Sequence, residues 1–380
     1  MRIVYLTSVD ATDDMAPSVH VRGTCRSMTE LGHSVILIRA SVRNRRKLDV
    51  TWLEKEVIVP FGAFRGGWKI FQLVAAIKLI KIIKECRPDV LYVRSSPSVI
   101  FSRLFEHFEI PVAYELNGTE ILNHSLFPMM ISSCDLVFTD SQTMTERFVD
   151  ALPGQRHKVR EHDTFVTDTH SFFSRDKDEC CAELGIDGKK FRIIHVSSFQ
   201  DWHDFETIIS AFEQVSVSAK VAVELVLVGH GPQFGSIRER ASQSPAGSTI
   251  RMVGRVAHQE LNTWIGASDL ALDVLSEQKL RSGKNLGAYK LYEYAACCRP
   301  TITAISSEFV PPLWAAKAFG LVPPGNVGRL AREINSVLER PDYWSGRAAY
   351  AYDYVRSYKT WKSATATTLR HLSTYLEDAV

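Results

Sequence analysis

The segment "FRIIHVSSFQDWHDFETIISAFEQVSVSAKVAVELVLVG", residues 191–229, contains two runs rich in Ile, Val and Leu on either side of a helix-like stretch. Strands buried on both faces of a sheet have this composition, which predicts strands at 191–198 and 223–229. Residues 203–215 between them have the spacing of a helix. Two strands joined by a helix are expected to lie parallel in one sheet, because the helix returns the chain to the end where the first strand began.

The same alternation extends to both sides of this segment. Further strands are predicted at 2–8, 34–40, 89–95, 111–116, 135–140, 249–256, 268–275, 300–305 and 320–324, and further helices at 18–33, near 68–86 and at 233–243. A less regular connector near 155–190 separates two such series, and the last 40 residues are helical and polar. The sequence therefore predicts an α/β protein with two domains, since a single core rarely grows to this length.

Composition excludes several classes of protein. The chain has 380 residues, of which 45% are hydrophobic and 23% charged, as in ordinary globular proteins. A net charge of +2 gives no general electrostatic basis for binding nucleic acid, which is not expected as a partner. The seven cysteines are odd in number and lack C-x-x-C spacing, which favours reduced thiols over disulfides or zinc. With no signal-peptide pattern and no long apolar run, the expected location is the cytoplasm.

An unusual lysine points to a ligand site in "GAYKLYEYAACCRP", residues 287–300. Lys290 falls in the first turn of the predicted helix, where unpaired N–H groups already create positive charge. A cation is unfavourable there unless an anion shares the site. Gly287 and Lys290 are therefore candidates to bind a diphosphate, and Glu293, one turn later, could accept hydrogen bonds from a ribose. The alternative is an exposed Lys–Glu pair with no ligand.

Other candidates follow the predicted strands, because ligands of open α/β sheets bind beyond the carboxyl ends of the strands. In the second half, the candidates for ligand contacts are Ser198, His203, Gly229, Gly254 and Arg255, with an ordinary strand-end turn as the alternative for the last two.

In the first half, "ELNGTE" offers Asn117 and Glu120, and also Glu115, any of which could contact a ligand or serve as a base. A polar loop with a helix cap is the alternative. His20 is expected to be structural.

These motifs together resemble a known family. "KLYEYAACCRPTITA", residues 290–304, looks like the "K-L-x-E-Y-x-A-x-G-x-P-V" signature of retaining GT-B glycosyltransferases of the large family-4 type. Five further segments resemble the family in order: "YLTSVD" with "ELGHSVILI", "RPDVLYVRSS", "IPVAYELNGTE", "IIHVSSFQDWHDFETIISAFEQV" and "LVLVGHGP". The resemblance covers nearly the whole chain.

The resemblance implies two facing Rossmann-like domains with a cleft between them, at 1–170 and 171–360, and a helix at 361–380 that returns to the first domain. It implies transfer of a sugar, with retention, from a nucleotide-sugar donor in the second domain to a glycan, polysaccharide or lipid-linked acceptor. The candidates in "ELNGTE" would then lie on the acceptor side, and those in the second half on the donor side. It also implies a reaction without metal or other cofactor. The single Asp-x-Asp, Asp176–Asp178, lies in the connector and is not expected to bind metal.

The chain departs from the family pattern at two places. The first Glu of the Glu-x7-Glu motif falls at Asn285, which could contact a donor hydroxyl instead. The basic pair that normally follows the strand at 192–198 is missing, so His203 is a partial substitute and Lys290 takes the main role. These departures leave a GT-B-fold epimerase or hydrolase and a non-catalytic relative as alternatives. A dinucleotide oxidoreductase is disfavoured because "SVDATDDMA" lacks the glycines of its phosphate-binding loop.

The predicted helix at 68–86 is apolar on one face and carries Lys78, Lys81 and Lys84 on another. Such a helix can lie on an anionic membrane surface, so contact with the inner face of a membrane is a further hypothesis. An ordinary surface helix is the alternative.

Overall fold

The computed structural model describes residues 1–12, 16–41, 47–48, 51–61, 67–116, 118–162, 166–277, 289–304 and 312–378. The chain divides into two compact units. The first contains Met1–Thr164 together with Trp361–Val380, and the second contains Phe165–Thr360.

The first unit is a parallel sheet with helices. Its elements in chain order are β1 (Arg2–Thr7), α1 (Ala16–Glu30), β2 (Ser34–Ser41), β3 (Lys55–Pro60), α2 (Gly67–Cys86), β4 (Val90–Arg94), α3 (Val99–His107), β5 (Val112–Glu115), α4 (Phe127–Ser132), β6 (Leu136–Thr139), α5 (Gln142–Ala151) and β7 (Val159–Glu161). The strands lie in the order β3-β2-β1-β4-β5-β6-β7, and each neighbouring pair is parallel.

The second unit repeats this plan. Its elements are α6 (Lys177–Leu184), β8 (Phe191–Ser197), α7 (Phe205–Ser218), β9 (Val223–Gly229), α8 (Phe234–Ser242), β10 (Ile250–Gly254), α9 (Leu261–Gly266), β11 (Leu270–Asp273), α10 (Tyr289–Ala296), β12 (Thr301–Thr303), α11 (Pro312–Ala318), β13 (Gly320–Leu321), α12 (Val327–Glu339) and α13 (Pro341–Tyr358). The strand order is β10-β9-β8-β11-β12-β13, again with parallel neighbours. The predicted α/β fold with two parallel sheets is confirmed.

The last helix, α14 (Trp361–Asp378), packs against α1 in the first unit. Trp361 covers Gly23 so closely that a Cβ on this glycine would lie 2.5 Å from the indole ring. Leu369 and Leu372 are buried in the same cluster as β1, and the Tyr375 hydroxyl donates to Asp135 Oδ1 at 2.8 Å. Contacts at both ends of the helix therefore hold it on this unit.

The acidic residues of the predicted connector have a structural role at the start of α6. Asp176 caps the N-terminus of α6, where its carboxylate accepts hydrogen bonds from the backbone N–H groups of Asp178 and Glu179. This cap explains an Asp-x-Asp sequence without a metal. In the described ranges, no group of three His, Cys, Asp or Glu side chains could hold a metal ion, and no helix is long and apolar enough to cross a bilayer.

Each sheet has one point where the strand order reverses direction. It lies between β1 and β4 in the first unit and between β8 and β11 in the second. Connections leave such a point on opposite faces of the sheet, so a crevice forms at the carboxyl ends of the two strands, where ligands of open α/β folds bind.

Candidate functional site

The reversal point of the second unit is open at its carboxyl end. The ladder between β8 and β11 has partners only up to Ile194 and Ala271, whereas β8 continues beside β9 to Ser197. Beyond that point the His195 ring bridges the two strands, with Nδ1 2.9 Å from the Leu272 carbonyl oxygen. Because a carbonyl only accepts, Nδ1 carries the proton and Nε2 is left as an acceptor.

Helix α10 closes one side of this opening. The Tyr294 hydroxyl accepts the backbone N–H of Val196 at 2.9 Å, which ties the helix to the part of β8 that β11 does not cover. This bond fixes the N-terminal half of α10, with Lys290 and Glu293, beside the reversal point.

Lys290 and Glu293 form an ion pair, with 2.7 Å between Nζ and Oε2. The side chain of Lys290 is 29% exposed and that of Glu293 12% exposed, so both remain within reach of a ligand. This is the i,i+3 contact that the alternative interpretation described, and it contributes about 0.2–0.5 kcal/mol. The pair therefore exists without ligand and is weak enough to be exchanged for stronger contacts.

Asp273 is a site residue that sequence reasoning missed. It ends β11, is buried, and interacts electrostatically with Lys290 and Glu293. Burial raises the pKa of Asp273 to about 6, with Lys290 opposing that rise and Glu293 adding to it. An acidic residue at the end of an apolar strand next to a reversal point was the available signal.

His203 lies in this neighbourhood, but as a neutral ring. Burial, together with smaller effects of His195 and Lys290, lowers the pKa of His203 to about 3. The two imidazole centroids are 5.4 Å apart, and the buried Nδ1 of His203 and Nε2 of His195 have no hydrogen-bond partner among the described residues. In the free protein the His203 ring is therefore neutral near pH 7, and it can donate or accept one hydrogen bond.

Two glycines bring the loop after β9 against the end of β8. A Cβ on Gly229, whose φ is +124°, would lie 1.8 Å from the Ser197 carbonyl oxygen, and one on Gly231 would lie 1.8 Å from that of Ser198. The backbone of this loop thus touches the backbone of β8, with Ser198 itself exposed. Phe199 is buried, and a Cβ on Gly229 would also lie 3.4 Å from its ring.

Gly254 and Arg255 lie at the end of the neighbouring strand. Gly254 has a φ of +80°, which suits glycine, and it pairs with Val228 one residue before Gly229. Arg255 is exposed. The structure therefore brings Gly229, Gly254 and Ser198 to one edge of the sheet.

Three predicted site residues, Asn117, Asn285 and Gly287, lie outside the described residues. So do three basic residues that precede α10 in the sequence, Lys279, Arg281 and Lys284. Glu120 is described and exposed, in a short 3-10 turn at Thr119–Asn123.

In the first unit, the reversal point holds a buried polar cluster around Glu115. Its carboxylate lies 2.7 Å from His20 Nε2, accepts a hydrogen bond from Arg94 Nε at 2.9 Å, and accepts another from the Tyr92 hydroxyl at 3.0 Å. Burial alone would raise the pKa of Glu115, but His20 and Arg94 outweigh it and hold that pKa below its ordinary value. Burial and Glu115 raise the pKa of Tyr5, whose hydroxyl lies 3.4 Å from the same carboxylate.

Two family models match the chain. Residues 176–354 match the glycosyl transferases group 1, and residues 17–161 match glycosyltransferase family 4. The chain is built from glycosyltransferase domains. Each structural unit contains one of the two matches. The match to the glycosyl transferases group 1 lies in the second unit and contains the whole β8–β11 site.

Solved structures share the fold of this glycosyltransferase. Alr3699/HepE from Anabaena, in complex with UDP, is 15% identical, with a TM-score of 0.73 over 98% of this chain and 100% of its own. Sucrose-phosphate synthase from Thermosynechococcus elongatus is 15% identical, with a TM-score of 0.73 over 100% of each chain. A glycosyltransferase from Rickettsia africae is 14% identical, with a TM-score of 0.72 over 99% and 98%. No curated protein matches the chain. The predicted GT-B fold class is confirmed, and retention stays a prediction.

Proposed function

We propose that this glycosyltransferase moves a sugar from a nucleoside-diphosphate sugar to an acceptor hydroxyl, with the donor bound in the second unit at the β8–β11 reversal point. The observation that carries this proposal is the exchangeable Lys290–Glu293 pair at the open end of the sheet, inside the segment that matches the glycosyl transferases group 1.

Lys290 is the group proposed to stabilise the leaving diphosphate. Negative charge grows on the phosphate as the bond to the sugar breaks, and a positioned cation there is worth more in the transition state than in the ground state. In the free protein Nζ is held by Glu293 at 2.7 Å, so the lysine is already near its working position. The diphosphate would take Nζ from Glu293, and the freed carboxylate would accept hydrogen bonds from the ribose.

The surrounding residues would position the donor. The neutral His203 would offer a hydrogen bond to a phosphate or sugar oxygen, and Gly229 would allow the backbone to approach the diphosphate. Gly254 and Arg255 would line the base. Asn285 and Gly287 are proposed to contact the sugar and the diphosphate, as the resemblance implies.

UDP is the nucleotide to test first, because the similar Anabaena protein was crystallised with UDP, with UDP and glucose, and with UDP-glucose. Asn117 and the exposed Glu120 stay the candidates for contact with the acceptor, because the Glu115 carboxylate is already paired with His20 and Arg94. The acceptor class remains a glycan, a polysaccharide or a lipid-linked precursor, and retention is proposed from the family.

The reaction is proposed to need no metal, because Lys290 and the backbone N–H groups at the start of α10 would together stabilise the charge of the diphosphate. Thermal shifts with UDP, GDP, ADP, dTDP and CMP, each with and without EDTA, test the donor site. A ligand at 100 times its dissociation constant stabilises by about 2.7 kcal/mol. One diphosphate that raises the melting temperature equally in both conditions supports the proposal. A shift abolished by EDTA contradicts metal independence, and no shift with any nucleotide contradicts the donor site.

A further inference from the structure

The exposed apolar side chains of the first unit are concentrated on one surface. Among its described residues, the large hydrophobic side chains that face solvent are Ile70 (50% exposed), Leu73 (54%), Ile77 (60%) and Val99 (46%). The first three lie on α2, and Val99 begins α3, which packs against α2. We call Ile70, Leu73, Ile77 and Val99 the apolar patch.

The apolar patch gives α2 a second apolar face, because the opposite face of this helix is already buried in the core of the unit. Phe71, Ala75 and Leu79 are buried in the core of the unit. Ile70, Leu73 and Ile77 follow the i, i+3, i+7 spacing and fall within about 60° of arc on the opposite side. A helix that packs on a core needs only one apolar face, so core packing does not explain the second face of α2.

Lysines continue the same stripe toward the end of α2. Lys81 and Lys84 lie one and two turns beyond Ile77, and Lys69 flanks the other end. The Lys81 side chain is 73% exposed, and its Nζ lies 3.6 Å from Glu85 Oε1 in an exposed pair, which is weak enough for a lipid phosphate to replace. Lys78 does not belong to this set, because its Nζ donates to the Ile58 carbonyl oxygen at 2.6 Å. The stripe therefore passes from aliphatic to basic along one exposed face.

We propose that the apolar patch and its lysines dock this protein onto an anionic lipid surface. The aliphatic side chains would enter the boundary between headgroups and acyl chains, and the lysines would contact lipid phosphates, as amphipathic helices do at membrane surfaces. The composition favours lipid over protein, since protein interfaces are depleted in lysine and enriched in aromatic residues and arginine. The proposal does not depend on the donor site.

Co-sedimentation with vesicles tests this docking on the full chain. Vesicles of phosphatidylcholine alone are compared with vesicles of equal parts phosphatidylcholine and phosphatidylglycerol, at low and high salt. Wild type is expected to bind the anionic vesicles at low salt and to be released by high salt. Lys81→Gln/Lys84→Gln is expected to bind about 30-fold more weakly, since each basic residue near the surface contributes on the order of fivefold. Ile70→Ser/Leu73→Ser/Ile77→Ser is expected to lose binding to the anionic vesicles at low salt.

Matched controls come from the second unit. Val217→Ser/Val221→Ser removes side chains that are 88% and 52% exposed, and Lys189→Gln/Lys220→Gln removes two exposed lysines. Both are expected to bind vesicles like wild type, and all variants should keep the wild-type melting temperature because the changed side chains face solvent.

Three results would overturn the proposal: no binding to anionic vesicles, equal binding to neutral ones, or equal losses in the controls. A dimer that becomes a monomer in the serine variant, without vesicle binding by wild type, would assign the patch to a second copy of the chain instead. The nucleotide thermal shift is measured on the same samples, so failure of docking and failure of the donor site are separate outcomes.

Discussion

Replacing Gly231 by alanine tests whether the loop after β9 shapes the donor site. The new Cβ would lie 1.8 Å from the Ser198 carbonyl oxygen, and 3.2 Å from that of Phe199. Contacts below 3.0 Å essentially do not occur, so the loop and the end of β8 must separate by about 1.2 Å. Neither partner can yield easily, because both are backbone, and Gln233 N–H donates to the Phe199 carbonyl oxygen at 3.0 Å.

A displacement of this size removes hydrogen bonds between the loop and a diphosphate. A hydrogen bond to a charged group contributes about 1.5–3 kcal/mol, which corresponds to a loss of about 10- to 150-fold in affinity. Isothermal titration with the diphosphate that stabilises wild type gives this number directly. Overpacking should also lower the free energy of unfolding by about 1–3 kcal/mol, measured by circular dichroism.

Gly235→Ala is the matched control, because nothing lies within 4 Å of the Cβ it would add at the start of α8. It is expected to bind like wild type and to be slightly more stable. The reasoning is refuted if Gly231→Ala folds and binds the diphosphate within threefold of wild type.

Three further predictions concern single side chains. Lys290→Ala should lower the turnover of the donor by about 10²–10³, with the melting temperature unchanged. A rate within fivefold of wild type would remove Lys290 from the mechanism, and so would an equal loss of rate in the control Lys220→Ala, which changes an exposed lysine. Glu293→Gln should reduce the preference for UDP over 2′-deoxy-UDP in titrations, because its carboxylate accepts from the ribose; an unchanged preference contradicts that role. The free energy of unfolding should fall as the pH drops from about 6.5 to about 4, because burial lowers the pKa of His162 and of His195 to about 4 in the folded protein. The unfolded chain then binds each proton at a higher pH than the folded chain does. The loss between pH 7.5 and pH 5 is about 2 kcal/mol for each, measured by urea denaturation, and His195→Gln should flatten this slope while the exposed His157→Gln should not.

The parts of the fold that the sequence predicted are those with strong periodicity. The runs at 191–198 and 223–229 became β8 and β9, and the helix near 68–86 became Gly67–Cys86. Strands β3 and β7 were missed, because β3 begins with Lys55 and Glu56 and β7 has only three residues, none of them buried. Short or edge strands bury too little surface to leave a pattern.

The candidate site was only partly predictable for a different reason. Lys290 stood out because a cation at a helix N-terminus is locally unfavourable. His195 and Asp273 lie inside apolar strands, and only the register shows that the β8–β11 ladder ends beside them. The neutral state of His203 likewise depends on burial by residues that are distant in sequence.

The central claim is that Lys290 binds the diphosphate of a nucleotide-sugar at the β8–β11 reversal point. The most direct measurement is an isothermal titration of wild type, Lys290→Ala and Lys220→Ala with UDP and with uridine. We predict that Lys290→Ala loses at least about tenfold in affinity for UDP, as expected for a hydrogen bond to a charged group, while uridine binds all three alike. Equal UDP affinity in wild type and Lys290→Ala, or no binding of any nucleoside diphosphate to wild type, would contradict the account.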